Sequence, residues 1–158
     1  MKYSDIQPGG VLVALPGMAY NPLQRACLLV TSVDPTLTGF ILNKPVLEIT
    51  NPYLTGTCYF FGGYLNTQTQ FYLTALPIRG SLKISESLYY SFDTASLQKH
   101  INEQKLTAEN FKLVVGQCIY GPAYFKEHLL SSFTSVELPF FGTPFGHLNG
   151  VWEQWTND

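Results

Sequence analysis

Cys27, Cys58 and Cys118, with His100, His128 and His147, are the side chains through which this chain could do nucleophilic or metal chemistry. Cys118 has the most suggestive surroundings: an apolar run from Phe111 to Ile119 contains it and Gly121-Pro122 follows, the strand, turn and helix order of a nucleophile elbow. The elbow requires one residue between the nucleophile and the following glycine, whereas Ile119 and Tyr120 both separate Cys118 from Gly121. A buried core cysteine is the reading this spacing favours. The cysteines are odd in number, far apart and without a Cys-x-x-Cys pair, so they suggest neither a disulfide framework nor a zinc site. No histidine has a second His or Cys two to four residues on, and no metal or other cofactor is expected. His128 stands beside Glu127, but adjacent helix positions point apart. His100 and His128 therefore read as solvated helix-face residues, and His147 as part of an aromatic tail. Glu86 and Asp93 flank Tyr89-Tyr90, yet Asp93 sits where a helix needs a cap.

Glycines and a turn asparagine offer the other kind of chemistry, recognition. Gly62-Gly63 belongs to neither a Walker-type nor a dinucleotide-binding glycine pattern, so turn geometry is its simplest account. Asn43 ends an apolar strand before Lys44-Pro45, where its side chain can bond neighbouring backbone and fix the turn. A ligand or partner surface is the second reading of this region. It would comprise Asn43, Lys44, Pro45, Gly62, Gly63, Tyr120, Gly121 and Pro122, which fall at predicted strand ends where loops and binding sites meet.

The elements that must position these residues follow from hydrophobic patterning. Val11 to Leu15, closed by Pro16-Gly17, reads as a buried strand. Ala26 to Ser32 and Thr38 to Leu42, joined across Asp34-Pro35, read as an antiparallel hairpin. A Pro- and Asn-containing stretch from Lys44 to Thr55 precedes a strand from Thr57 to Phe61, and Phe71 to Ala75 and Leu82 to Phe92 supply two or three more. Asp93-Thr94 opens a helix to about Lys105, with Leu97 and Ile101 on one face. Phe111 to Ile119 is apolar at nearly every position except Lys112 and Gln117, as in a central strand covered on both faces. Gly121-Pro122 starts a second helix carrying Phe125 and Leu129, and Leu148 to Trp155 a short third.

Composition bounds the rest. At 158 residues, 46% hydrophobic and only 13% charged, the chain reads as one folded domain whose low charge favours a homo-oligomer or a partner-binding patch. A net charge of −2 without a Lys/Arg cluster argues against nucleic acid as a partner. Apolar runs are far too short to cross a membrane, and Met1 to Gly10 lacks a secretory pattern, so a cytoplasmic location is expected. The tail residues Phe140, Phe141 and Phe145 should either dock onto the sheet or drive self-association.

Three blocks in order carry a family resemblance. Gly10 to Pro16 with Arg25 forms the opening. Gly39-Phe40-Ile41-Leu42-Asn43-Lys44-Pro45, then Phe61-Gly62-Gly63, form the second block, and Gly116-Gln117-Cys118-Ile119-Tyr120-Gly121-Pro122 the third. Together with Trp152 they resemble the bacterial YqgE/AlgH family across essentially the whole chain. Tyr120, Ala123 and Tyr124 depart from that family's Trp, Gly and Gln; Lys126 and His128 replace acidic residues, and the Pro45 to Gly62 segment is short. The resemblance implies an α+β fold, mainly an antiparallel, barrel-like or strongly curved β-sheet flanked by two to three helices. It implies no reaction, although some members are described as transcriptional regulators. The expected function is accordingly a noncatalytic binding or regulatory module for an unknown protein or small molecule. A small cofactor-independent hydrolase or transferase using Cys118 or His128 is the alternative.

Overall fold

The computed structural model describes residues 1–21, 23–48, 58–92, 94–103, 106, 110–136, 144–145, 148 and 150–156. Among these, ten strands run in chain order: β1 Val11–Ala14, β2 Cys27–Ser32, β3 Leu37–Ile41, β4 Pro45–Glu48, β5 Cys58–Phe61, β6 Leu65–Thr74, β7 Leu82–Ser85, β8 Leu88–Ser91, β9 Phe111–Tyr120 and β10 Phe133–Val136. The helices are α1 Thr94–Asn102, α2 Pro122–His128 and α3 Val151–Thr156. The strands join in one strongly curled sheet, a half-barrel of order β10-β1-β2-β3-β9-β6-β8-β7, with β5 on β9 and β4 on β5. All pairs are antiparallel except β5 with β9, which is parallel.

The apolar run of β1 and the apolar stretches of β2 and β3 follow from burial on both faces. Side chains alternate across a strand, so Val11, Val13, Cys27, Leu29 and Phe40 fill one side of the sheet with Phe71, Leu73, Val114 and Phe145. Leu12, Ala14, Leu28, Val30 and Ile41 point the other way, onto Phe125 and Leu129 at α2. A third cluster seats Leu97 of α1 against Tyr72, Phe111 and Leu113. The expected central strand is β9, which pairs with β3, β5 and β6.

Several boundaries differ from the sequence expectation. β4 occupies part of the Pro- and Asn-containing stretch from Lys44, where Pro45, Leu47 and Glu48 pair with β5 at the sheet margin. β6 begins at Leu65, six residues before the expected Phe71, through an exposed segment that bulges between Leu65↔Gln117 and Gln70↔Val115. β10 was hidden by its mixed Phe133-Thr-Ser-Val136 composition, and α1 ends at Asn102. Phe145 is docked in the first of these clusters rather than exposed. Phe140, Phe141, His147 and the capping role of Asp93 lie outside the described residues.

Candidate functional site

The β3–β4 turn is held by Asn43, and it is held from far along the chain. Asn43 Oδ1 accepts the Cys27 backbone N–H at 2.8 Å, and Asn43 Nδ2 donates to the Arg25 carbonyl at 2.8 Å. Its side chain thus grips the backbone on both sides of Ala26 at the start of β2, where sequence reasoning expected a bond to the turn itself. Lys44 Nζ extends the contact by donating to the Gln24 carbonyl at 2.6 Å. Arg25 takes up a left-handed backbone, φ 60°, uncommon for a residue with a long side chain. Its guanidinium carbon stands 5.4 Å from the ring centroid of Trp152, whose indole N–H donates to the Ala14 carbonyl at 2.7 Å. Around these groups lies a cavity of about 260 Å³, lined in part by Gln24, Arg25, Asn43, Lys44, Trp152 and Glu153. Burial pulls the Lys44 ammonium below its ordinary pKa, and the nearby Arg25 charge pulls it further.

Gly62 and Gly63 are buried beneath this surface rather than open to a ligand. The chain leaves β5 by crossing the backbone of β9: a Cβ on Gly62 would lie 2.3 Å from the Gly116 carbonyl oxygen, and one on Gly63 2.2 Å from the Gln117 carbonyl carbon. Gly116 has φ +82°, so glycine is required on both sides of the crossing. Pro45 is exposed as the first residue of β4, a position where proline costs a sheet little.

Cys118 lies under the same crossing, buried, with its Sγ 3.6 Å from the Gly62 carbonyl oxygen. Burial pushes its thiol up to about 12, and Cys27 is likewise pushed up to about 12. A nucleophile must be a thiolate within reach of substrate, and neither group meets either condition. His128 is exposed, 3.8 Å from the Glu127 carboxylate, a contact the adjacent-residue argument did not anticipate because long side chains bend back toward each other. Among the described residues no group of three or more His, Cys, Asp and Glu converges as a metal site would.

Tyr120 begins a second surface feature. Its ring stacks on Tyr124 at 6.3 Å and 11°, and Tyr124 in turn meets the His128 ring at 4.7 Å. Burial, then Cys118, pushes the Tyr120 phenol above its ordinary pKa. Tyr64, exposed, sets its ring against Phe61 and donates its hydroxyl to the Asn21 carbonyl. Gly121, the exposed N-cap, and Pro122, the first residue of α2, start the helix that holds Tyr124 and His128 outward.

The structure therefore divides the eight sequence-selected residues. Asn43 and Lys44 line the cavity, Pro45 opens β4, Gly62 and Gly63 form the crossing, and Tyr120, Gly121 and Pro122 support the aromatic row. Sequence reasoning missed Gln24, Glu153 and, in the core, Lys112. Lys112 is buried, donates to the Leu42 carbonyl at 2.6 Å and lies 4.0 Å over the Phe60 ring. Its isolated charge within the apolar β9 run was the available signal. Arg25 and Trp152 had surfaced only in the resemblance, not as partners.

A strongly curled α+β half-barrel is a fold known from solved structures. The AlgH protein from Pseudomonas aeruginosa, seen in solution, superposes with TM-score 0.66 at 15% identity over 82% of this chain and 76% of that one. Protein DIP2367 from Corynebacterium diphtheriae, a crystal structure, superposes with TM-score 0.70 at 16% identity over 98% of this chain and 88% of its own. The AlgH-like family profile, DUF179, matches residues 11–131, and the chain belongs to that family. No curated protein matches it.

Proposed function

We propose that this chain is a noncatalytic binding module, of a kind suited to regulation, whose ligand or partner meets it at the cavity beside Lys44 and along the Tyr64, Tyr120 and Tyr124 row. One observation carries the reading: groups suited to recognition face outward at these strand ends, while the reactive thiol beside them is sealed in the core and held protonated. Recognition needs complementary shape and accessible polar or aromatic groups; catalysis needs a titrating group poised in a concave site. The hydrolase alternative loses Cys118 on this ground, and among the described residues His128 has no positioned nucleophile.

The test uses exposed residues, because Asn43 is a structural clamp and its replacement would confound binding with folding. Wild type and a Tyr64→Ala/Tyr124→Ala variant are compared as baits in soluble extract of the source cells, after matching their melting temperatures. Specific enrichment by wild type that the variant loses supports the module. Rapid alkylation of Cys118 by iodoacetamide at neutral pH in the native protein would reinstate an enzyme and overturn the reading.

A further inference from the structure

β7 is the last strand on its side of the sheet, and its outer edge is open. It pairs with β8 alone, and among the described residues no backbone hydrogen bond from another element reaches its far side. Such an edge presents N–H and C=O groups that a further strand can meet. The face beside it is apolar. Leu82 lies directly across from Tyr90, and Phe92 follows two residues on, so all three share the face of Ile84 and Leu88. Tyr90 and Phe92 set their rings against Phe40 and Phe71 of the core, yet Leu82 is 51% and Phe92 64% exposed. The interior cluster thus runs out to the edge and ends there in water. Charge along the edge is divided by sign. Arg79 and Lys83 stand toward its start, and Glu86 stands at its end, where it lines a cavity of about 670 Å³ together with Asp5. Lys83 and Glu86 pair within the chain at 3.2 Å, both exposed, so neither lacks a counter-charge.

We propose that β7 is a homodimer edge, at which two copies join antiparallel about a two-fold axis near Ile84 and extend one sheet into the next. A second copy is the occupant because the charge order along the edge is its own complement. Antiparallel pairing of identical strands sets the Lys83 end of each copy against the Glu86 end of the other. The Leu82 and Phe92 patches of the two copies then lie on the same face of the joined sheet, with the Leu82 side chains nearest the axis. Main-chain bonds and apolar burial drive the association. The charges fix its direction and exclude wrong partners, since exchanging an ion pair within a chain for one between chains gains little. β8 meets β6 at Tyr72 to Thr74, the far end of that strand from Tyr64, so this surface is independent of the aromatic row.

The test is sedimentation equilibrium of the full chain over a rising concentration series, in which wild type should pass from monomer to dimer. Lys83→Glu and Glu86→Lys, both at exposed positions and checked to melt with wild type, should each weaken self-association about tenfold or more, because like charges then meet across the axis. Mixed in equal amounts, the two variants should regain it, since the acidic edge of one meets the basic edge of the other. No pairing within a chain can produce that recovery. Leu82→Ser should also weaken the dimer while leaving the fold intact. A wild type that stays monomeric at every concentration overturns the proposal, as does a dimer indifferent to these substitutions or a mixture no heavier than its components.

Discussion

The glycine crossing, where the chain leaves β5 over β9, and the Asn43 clamp, between the end of β3 and the start of β2, fix backbone by opposite means. At the crossing, side chains are absent so that β5 can leave over β9 with Gly62 and Gly116 in direct contact. At the clamp, one side chain does the holding, supplying an acceptor and a donor to two segments remote in sequence. Both are internal devices, and both belong to the most family-like blocks of the chain. The residues open to solvent, Arg25, Tyr64 and Tyr124, are their neighbours. The motif residues build the frame, and less conspicuous residues meet the outside.

Breaking the crossing should cost most. Gly62→Ala forces a methyl group onto a carbonyl oxygen with no flexible atom to yield, so unfolding in urea should show a loss of about 3 kcal/mol or more. A loss under about 1 kcal/mol would mean that the strands separate easily and the crossing is not rigid. Asn43→Ala comes next, with about 2 kcal/mol lost as the Cys27 N–H and Arg25 carbonyl lose their partner. Asn43→Asp sharpens the contrast: it keeps the acceptor, sets oxygen against the Arg25 carbonyl, and should recover only part of that loss.

The sealed thiols give a smaller, pH-dependent effect. Cys27 and Cys118 stay protonated in the native state up to about 12, whereas unfolded thiols ionise near their ordinary value of 9.0. The native state therefore holds more protons between those values, and stability is full below the lower one and declines as pH rises toward the upper. Urea midpoints across this window should fall less steeply for Cys27→Ala/Cys118→Ala than for wild type, each compared with its own value at neutral pH. Equal slopes would show that the thiols reach solvent. Smallest of all is Tyr124→Ala, expected within about 0.5 kcal/mol of wild type because the ring is exposed. A larger loss would move the aromatic row from recognition into structure.

Much of the frame was legible. The apolar run of β1 and the nearly apolar run of β9, broken only at Lys112 and Gln117, announced strands buried on both faces, and Gly121-Pro122 announced α2 because proline suits a first turn. β4 and β10 were not legible, since a short marginal strand needs only a partner and carries no strong pattern of its own. Within the site, Asn43 and the glycines could be read as structural. That Gly62 faces Gly116 could not, because the two are brought together only by the β5–β9 pairing.

Sequence alone determined the class, the apolar interior and the family, because patterning and glycine placement are local and survive at low identity. Tertiary structure alone decided which polar residues converge. Arg25, Lys44, Trp152 and Glu153 come from three separate regions of the chain, and their meeting depends on the curl of the sheet and on α3 packing against β1. No spacing rule encodes such a meeting, because the distances between these residues are set by strand order rather than by chain length.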